Sequence, residues 1–154
     1  MSGTVRWGRR TAAVVLVVAV TSITAVAASA TVSSGATVKS RPTSLGRIVV
    51  NAGGRSLYLF AKDKSGKSAC SGLCAQYWPP LLTTGKPIAG AGLTSKLLGV
   101  TIRKDGTRQV TYAGHPLYRY AADSTAGQTI GEGLTDFGGV WDVVAPSGKK
   151  IESH

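Results

Sequence analysis

The sequence predicts an all-β domain: a small sandwich or barrel of about seven short strands, built from two related hairpin units, with little helix beyond the N-terminal segment. A segment that recurs after 60 residues indicates a duplicated supersecondary unit. Turn signals are frequent, since 20 of the 154 residues are glycine, against an average of about 7%. Helical periodicity is poor, and short strands separated by turns are typical of sandwiches and barrels.

The first thirty residues have the pattern of a secretory signal peptide. Three arginines and no acid occupy the first ten positions, residues 12–20 are continuously apolar, and Ala28-Ser29-Ala30 is a small-residue triplet. This is the order of charged, apolar and cleavage regions in exported proteins. We therefore expect a signal peptide at 1–30 with cleavage near Ala30. The alternative is an uncleaved anchor, because residues 11–30 approach the ~20 residues of a membrane-spanning helix.

The rest of the chain divides into a spacer and one domain. Residues 31–44 are polar, rich in Ser and Thr and contain a proline, which predicts a flexible spacer. The duplicated domain is predicted at 45–152, with unit one at about 45–82 and unit two at about 107–145.

The repeat is clearest between residues 54–63 and 114–123. Gly, Leu, Tyr, an aromatic residue, Ala and Asp coincide at an offset of 60, and Trp78 corresponds to Trp141 with three extra residues in the second copy.

Alternating apolar residues and turn signals predict the strands in order. They are 48–50 and 56–61 around a turn at 51–54; 99–103 and 107–112 around Asp105-Gly106; 117–121 after a turn at 113–116; and 140–145 with 149–151. A turn or two of helix is predicted at 71–77.

Strand alternation places the aromatic residues of each copy on one face. Leu57 and Leu59 lie on the opposite face in copy one, and Leu117 and Arg119 in copy two. We interpret the aromatic face as the core where the units meet; the alternative is a stacking platform for a ligand. Its strand residues are Tyr58, Phe60, Tyr118 and Tyr120.

Asp63 and Asp123 follow these strands. Short Asp side chains at such positions commonly accept hydrogen bonds from turn amides, and this is the role we expect. Calcium binding would need more carboxylates than either loop contains.

These motifs together resemble a known family. The pattern Tyr-x-aromatic-x-x-Asp occurs at 58–63 and 118–123, Cys-x3-Cys with Trp-Pro-Pro-Leu spans 70–81, and Gly-Gly-x-Trp spans 138–141. The chain thereby resembles the bacterial "secreted repeat of unknown function" family, predicted lipoproteins with a YX(FWY)XXD motif. The resemblance implies an exported envelope or extracellular protein and supplies no reaction or catalytic residues. The cleavage region has no cysteine to lipidate, which favours release or wall association.

Cys70 and Cys74 have two interpretations. In an exported protein, two cysteines four residues apart are most simply a disulfide that fixes the loop beside Trp78. The alternative is a redox or metal site, in which two thiolates and the imidazole of His115 would suit copper or zinc. The Cys-x-x-Cys-His motif of c-type haem attachment is absent.

The net positive charge of the predicted mature chain indicates the kind of partner it would bind. Beyond residue 30, 15 basic and 7 acidic side chains leave a net charge of +8, which favours anionic cell-wall polymers or membrane headgroups. Export argues against nucleic acid. No nucleophile motif accompanies His115, and no spacing pairs Glu132, Asp136 and Asp142. We expect a non-enzymatic binding or structural module without cofactor; the alternative is an extracytoplasmic redox or copper-handling module that uses Cys70 and Cys74.

Overall fold

A computed structural model describes residues 1–4, 8 and 34–151. The predicted signal peptide and its cleavage site fall almost entirely outside the described residues. Within 34–151 the chain is all-β, as predicted, with nine strands, one α-helix (α1) and one 3₁₀ helix. The strands are β1 Thr37–Thr43, β2 Gly46–Asn51, β3 Tyr58–Phe60, β4 Ile88–Ala89, β5 Leu98–Ile102, β6 Arg108–Tyr112, β7 His115–Pro116, β8 Leu134–Asp136 and β9 Gly139–Val143; α1 is Leu73–Tyr77 and the 3₁₀ helix is Ser95–Leu97.

The strands form three small sheets, and among the described residues none of them closes into a barrel. Their orders are β2-β1-β4, β3-β9-β8 and β5-β6-β7. All pairs are antiparallel except β1 with β4. The Asp105-Gly106 turn joins β5 to β6 as predicted, with Ile102 opposite Arg108.

Residues 37–43 correct the expectation of a flexible spacer over 31–44. They form β1, which pairs with β2 from Val38 to Thr43, and Val38 is fully buried. The strand was not predicted because its sequence is mostly polar, and a polar sequence does not indicate the backbone pairing with β2. Pro42 is tolerated because β4 pairs only with Thr37 and Val38, which leaves β1 an edge strand at the proline.

Three further strand predictions need correction. The return strand predicted at 56–61 is regular only over β3. The strand predicted at 117–121 is replaced by isolated bridges from Tyr118 to Tyr58 and Pro80, and the regular pairing falls on β7, inside the predicted turn. The strand at 149–151 is reduced to a bridge between Val144 and Lys150. For the first two segments the backbone partners, residues 141–143 of β9 for β3 and Tyr58 and Pro80 for Tyr118, are distant in sequence, and local alternation does not specify them.

Two hydrophobic cores lie on opposite faces of the repeat strands, and the predicted face assignment is confirmed. Tyr58, Phe60 and Tyr118 belong to an aromatic core, with Tyr120 packed against it. The alternate residues belong to an aliphatic core, which includes Leu57, Leu59 and Leu117.

The two copies interlock. Tyr58 and Tyr118 exchange backbone hydrogen bonds, N to O at 2.9 Å and 3.0 Å. β3 of the first copy pairs with β9 of the second. The chain after Tyr118 in turn bonds the end of the first copy, with Arg119 N donating to Pro79 O at 2.9 Å. Each repeat therefore completes its backbone pairing with the other.

The described residues contain no helix long and apolar enough to cross a membrane.

Candidate functional site

A stack of four aromatic rings forms the centre of the repeat. Trp78 and Trp141, equivalent residues of the two copies, stack at 4.0 Å between ring centroids with an interplanar angle of 3°. Phe60 covers the free face of Trp141 at 4.0 Å, and Tyr120 covers that of Trp78 at 4.3 Å. Each outer ring therefore belongs to the copy opposite its tryptophan.

Tyr58 and Tyr118 complete this core from the side. Tyr58 meets Trp78 edge-on at 5.3 Å, and Tyr118 meets Trp141 edge-on at 5.1 Å. Both tyrosines and both tryptophans are fully buried. The aromatic face is thus packed against itself, as expected of a core.

The two motif aspartates accept hydrogen bonds from the tyrosines of the opposite repeat. The Tyr58 hydroxyl donates to Asp123 Oδ2 at 2.6 Å, and the Tyr118 hydroxyl donates to Asp63 Oδ2 at 2.8 Å. The tyrosine of each YX(FWY)XXD motif therefore donates to the aspartate of the other motif, across the repeat interface.

The other carboxylate oxygens hold loops. Asp63 Oδ1 accepts from Ala69 N at 2.7 Å, and Asp123 Oδ1 accepts from Ile130 N at 2.9 Å. These amides lie six and seven residues further along the chain, so the aspartates close whole loops and not the tight turns expected from the sequence.

Burial is the main influence on the pKa values of these aspartates and tyrosines. It raises the pKa of Asp63 and of Asp123 above the ordinary value, although the hydrogen bonds from Ala69, Ile130 and the tyrosines act in the opposite direction. Burial and the neighbouring carboxylate also raise the pKa of Tyr58 and Tyr118, so both hydroxyls remain donors at neutral pH.

Cys70 and Cys74 form a disulfide at the start of α1, with their Cα atoms 5.3 Å apart. Both residues are buried. Arg103 fixes the same loop: its Nη2 donates to Cys70 O at 2.7 Å, and its Nη1 donates to Ser68 Oγ at 2.8 Å. Ser68 Oγ lies 2.8 Å from the Tyr118 hydroxyl, so a continuous polar network joins the disulfide loop to the repeat motif.

A cavity of about 400 Å³ opens beside this loop, lined among others by Ser68, Cys70, Lys104 and Asp105. Arg103 lies against it, with a buried Nε that makes no hydrogen bond and lies 3.9 Å from Asp105 Oδ2. Hydrogen bonds from Thr107 lower the pKa of Asp105. Its carboxylate is therefore charged and partly offsets the positive charges of Arg103 and Lys104 beside the cavity.

The alternative metal site would need both sulfurs and His115. In the structure the sulfurs are bonded to each other, so a metal would require prior reduction. His115 is exposed at the start of β7. Among residues 34–151, no three His, Cys, Asp or Glu side chains are grouped so that they could hold a metal ion.

Charges divide unequally between surface and interior. Of the fifteen Lys and Arg residues between 34 and 151, twelve are exposed, whereas Asp105 is the one exposed acid of that stretch. Asp123 and Asp142 are buried, and the other acids of the stretch are half-buried. The surface is therefore more cationic than the net charge indicates.

Sequence reasoning missed the network of Ser68, Arg103 and Gln109. Gln109 is fully buried; its Oε1 accepts from Arg103 at 2.8 Å, and its Nε2 donates to Leu117 O at 2.8 Å. The sequence signal was weak, because Gln109 lies between Arg108 and Val110 in a strand that is itself largely polar. A buried polar side chain requires partners, and Arg103 is one of them.

The duplication also appears in the similarity of the chain to a known family. A family model described as a secreted repeat of unknown function matches the chain twice, over residues 39–82 and 99–145. The matched segments include most of β1 and β5, and so begin before the unit boundaries expected at 45 and 107. No curated protein matches the chain, and no solved structure does.

Proposed function

Because the chain belongs to the family described as a secreted repeat of unknown function, we propose that its exported domain is a non-enzymatic module that binds anionic groups of the cell envelope. The chemistry recognised is phosphate or carboxylate, carried by a wall polymer or by lipid headgroups.

The distribution of charge carries this proposal. Lysines and arginines extend into solvent, while Asp63, Asp123 and Asp142 are used inside the fold. Asp63 and Asp123 are needed there, because each holds a loop and a tyrosine of the opposite repeat. The fold thus removes negative charge from the surface and leaves a field that attracts anions.

Three exposed lysines lie close in sequence or in space to the disulfide loop. We name Lys64, Lys67 and Lys104 the loop lysines. Lys64 and Lys67 face each other across a two-residue turn, and Lys104 lines the cavity beside Cys70. The disulfide and the Arg103 hydrogen bonds fix the backbone of the loop beside these lysines.

The test uses the exported, processed protein and two probes, poly(glycerol phosphate) and phosphatidylglycerol vesicles. The charge-removing variant is Lys64→Gln/Lys67→Gln/Lys104→Gln, and its matched control is Lys86→Gln/Lys96→Gln/Lys149→Gln. A lysine near an anionic surface contributes about 1 kcal/mol, so the loop variant should bind at least about tenfold more weakly. The control should lose less.

The two probes separate the sources of the anion. Preference for the polymer assigns a wall component, and preference for vesicles assigns headgroups. Absence of binding by the unmodified protein to both probes at low salt would contradict the proposal.

A redox or copper-handling module is the second candidate, favoured by a disulfide that lies beside a cavity. This function would require reversible reduction of Cys70 and Cys74 in the folded protein. Copper uptake by the reduced protein, lost in a Cys70→Ser/Cys74→Ser variant that remains folded, would establish it over the binding module.

A further inference from the structure

Three exposed apolar side chains form a patch at one end of the aromatic core. Leu73 and Tyr77 lie one turn apart on α1 and are 58% and 52% exposed, and Phe137 at the β8–β9 turn is 39% exposed. The Tyr77 and Phe137 rings lie 6.1 Å apart. We name Leu73, Tyr77 and Phe137 the apolar patch.

Phe137 occupies an unfavourable backbone conformation. It is the first residue of a two-residue hairpin turn between Asp136 and Gly139, and its φ is +53°. A bulky residue at positive φ is uncommon and strained. Ser65 and Ala113 hold equivalent positions in two other turns, each before a glycine and with φ near +50°. The turn would favour a small residue or Asn, so the phenylalanine costs stability.

A cation accompanies the patch. Lys62 Nζ donates to Phe137 O at 3.3 Å, and Lys62 is exposed. The ammonium is thereby placed beside the strained aromatic residue. Exposed aromatic and aliphatic side chains with lysine nearby are typical of surfaces that enter the headgroup region of a bilayer.

We propose that the apolar patch docks the domain onto an anionic phospholipid bilayer, with Leu73, Tyr77 and Phe137 entering the interface and Lys62 contacting a headgroup phosphate. This goes beyond the proposed function, which needs only charge. The charge complementarity between the cationic surface and an anionic leaflet selects a bilayer over an apolar protein partner.

The two interactions should act together. A small apolar group alone gives marginal membrane binding, and stable association takes a second signal such as a cationic surface. Charge attraction falls as salt rises, because the Debye length shrinks to about 3 Å at 1 M. Insertion of the patch is not screened, so part of the vesicle binding should survive high salt.

Phe137→Asn is the decisive variant. It places Asn-Gly in a turn that favours this pair, so it should raise the midpoint of urea unfolding while removing the apolar ring. The matched control is Ile88→Thr, which removes another exposed apolar side chain (Ile88 is 50% exposed) and keeps β-branching. Leu73→Ser/Tyr77→Ser removes the rest of the patch without altering the turn.

The measurement is cosedimentation of the exported, processed protein with phosphatidylglycerol vesicles at about 0.1 M and 1 M salt. Phe137→Asn and the double variant should each weaken vesicle binding at least about fivefold and abolish the fraction resistant to 1 M salt. Ile88→Thr should change binding less than twofold.

Binding of poly(glycerol phosphate) separates this inference from the proposed function. The patch variants should bind the polymer as tightly as the unmodified protein. Unchanged vesicle binding in both patch variants, or vesicle binding by the unmodified protein that vanishes at 1 M salt, would overturn the bilayer assignment and leave the charge-based function standing. A patch that instead binds a second copy of the chain, detected as patch-dependent dimers without vesicles, would overturn it as well.

Discussion

The Tyr58 hydroxyl donates a 2.6 Å hydrogen bond to Oδ2 of Asp123, a residue of the opposite repeat. The reciprocal bond joins Tyr118 to Asp63 at 2.8 Å. The family motif therefore specifies an interface between the repeats, because a single copy would leave its tyrosine and aspartate without these partners.

Removing either partner of the Tyr58–Asp123 pair should destabilise the fold. Tyr58→Phe removes the hydroxyl that donates to the buried carboxylate of Asp123. Asp123→Asn leaves one oxygen for two donors, the Tyr58 hydroxyl and Ile130 N, and so loses one of these hydrogen bonds. Each change should lower the free energy of unfolding by about 2 kcal/mol, and the double-mutant cycle should give a coupling of about 1.5–3 kcal/mol. Urea unfolding of the single and double variants measures this coupling.

Tyr77→Phe, at an exposed tyrosine, is the control and should change the free energy of unfolding by less than about 0.5 kcal/mol. A coupling energy below about 0.5 kcal/mol between Tyr58 and Asp123 would contradict the interpretation.

The two stacked tryptophans should respond differently to Phe. Trp141 Nε1 donates to Asp136 O at 3.2 Å, whereas Trp78 Nε1 is buried and makes no hydrogen bond. Both substitutions remove apolar contact area, but only Trp141→Phe also loses a hydrogen bond, worth about 1 kcal/mol. Trp141→Phe should therefore be the more destabilising variant by about 1 kcal/mol or more in urea unfolding. An equal or larger loss of stability in Trp78→Phe would contradict the expected difference between the two tryptophans, of which only Trp141 has a hydrogen bond to lose.

The disulfide should contribute modestly to stability and not to binding. Closing a loop of about five residues stabilises a fold by about 2 kcal/mol in the chain-entropy model. Cys70→Ser/Cys74→Ser should lower the free energy of unfolding by that amount. Its affinity for poly(glycerol phosphate), measured in the folded fraction, should remain within about twofold, a range of roughly 0.4 kcal/mol. A large loss of affinity with folding intact would favour a functional role for the pair.

Mild acid should stabilise the domain through the buried aspartates. Burial raises the pKa of Asp63 and Asp123 in the folded state, so the folded chain binds protons that the unfolded chain, with Asp near 3.9, does not. Stability from these groups is fully present below about 3.9 and is lost as pH rises through the raised folded pKa.

The measurement is the urea midpoint between neutral pH and about pH 4, the lower bound being set by the ordinary pKa of Asp. The midpoint should rise on acidification, and a variant with both aspartates changed to Asn should have a flatter profile. Asp105 does not interfere, because its pKa is lowered, and its contribution is lost only below the ordinary Asp value. A midpoint that falls steadily toward pH 4 in both proteins would contradict the assignment.

Alternation along a strand was enough to predict the two faces. Tyr58 and Phe60 were separated correctly from Leu57 and Leu59, because side chains of a strand alternate whatever the partner strand is. The fold class followed from the repeat and the turn signals, and the loop cysteines are bonded as the simpler interpretation required.

Partners distant in sequence were not predictable from local patterns. The sequence places Asp63 after its own strand and does not reveal that Tyr118 of the other repeat supplies its donor. β1 was missed for a related reason: it is stabilised by backbone hydrogen bonds to β2, and its polar sequence does not indicate this pairing. The apolar patch also required the fold, since Phe137 meets Tyr77 across sixty positions of chain.

Attraction of anionic polymer by the cationic surface is tested most directly by the salt dependence of binding. The affinity of the exported, processed protein for poly(glycerol phosphate) should be measured from about 50 mM to 200 mM salt, where ionic screening changes strongly. We predict that log Kd rises linearly with log salt and that affinity falls at least about tenfold over this range. An affinity independent of salt, or no binding at the lowest salt, would contradict a function based on the exposed lysines and arginines.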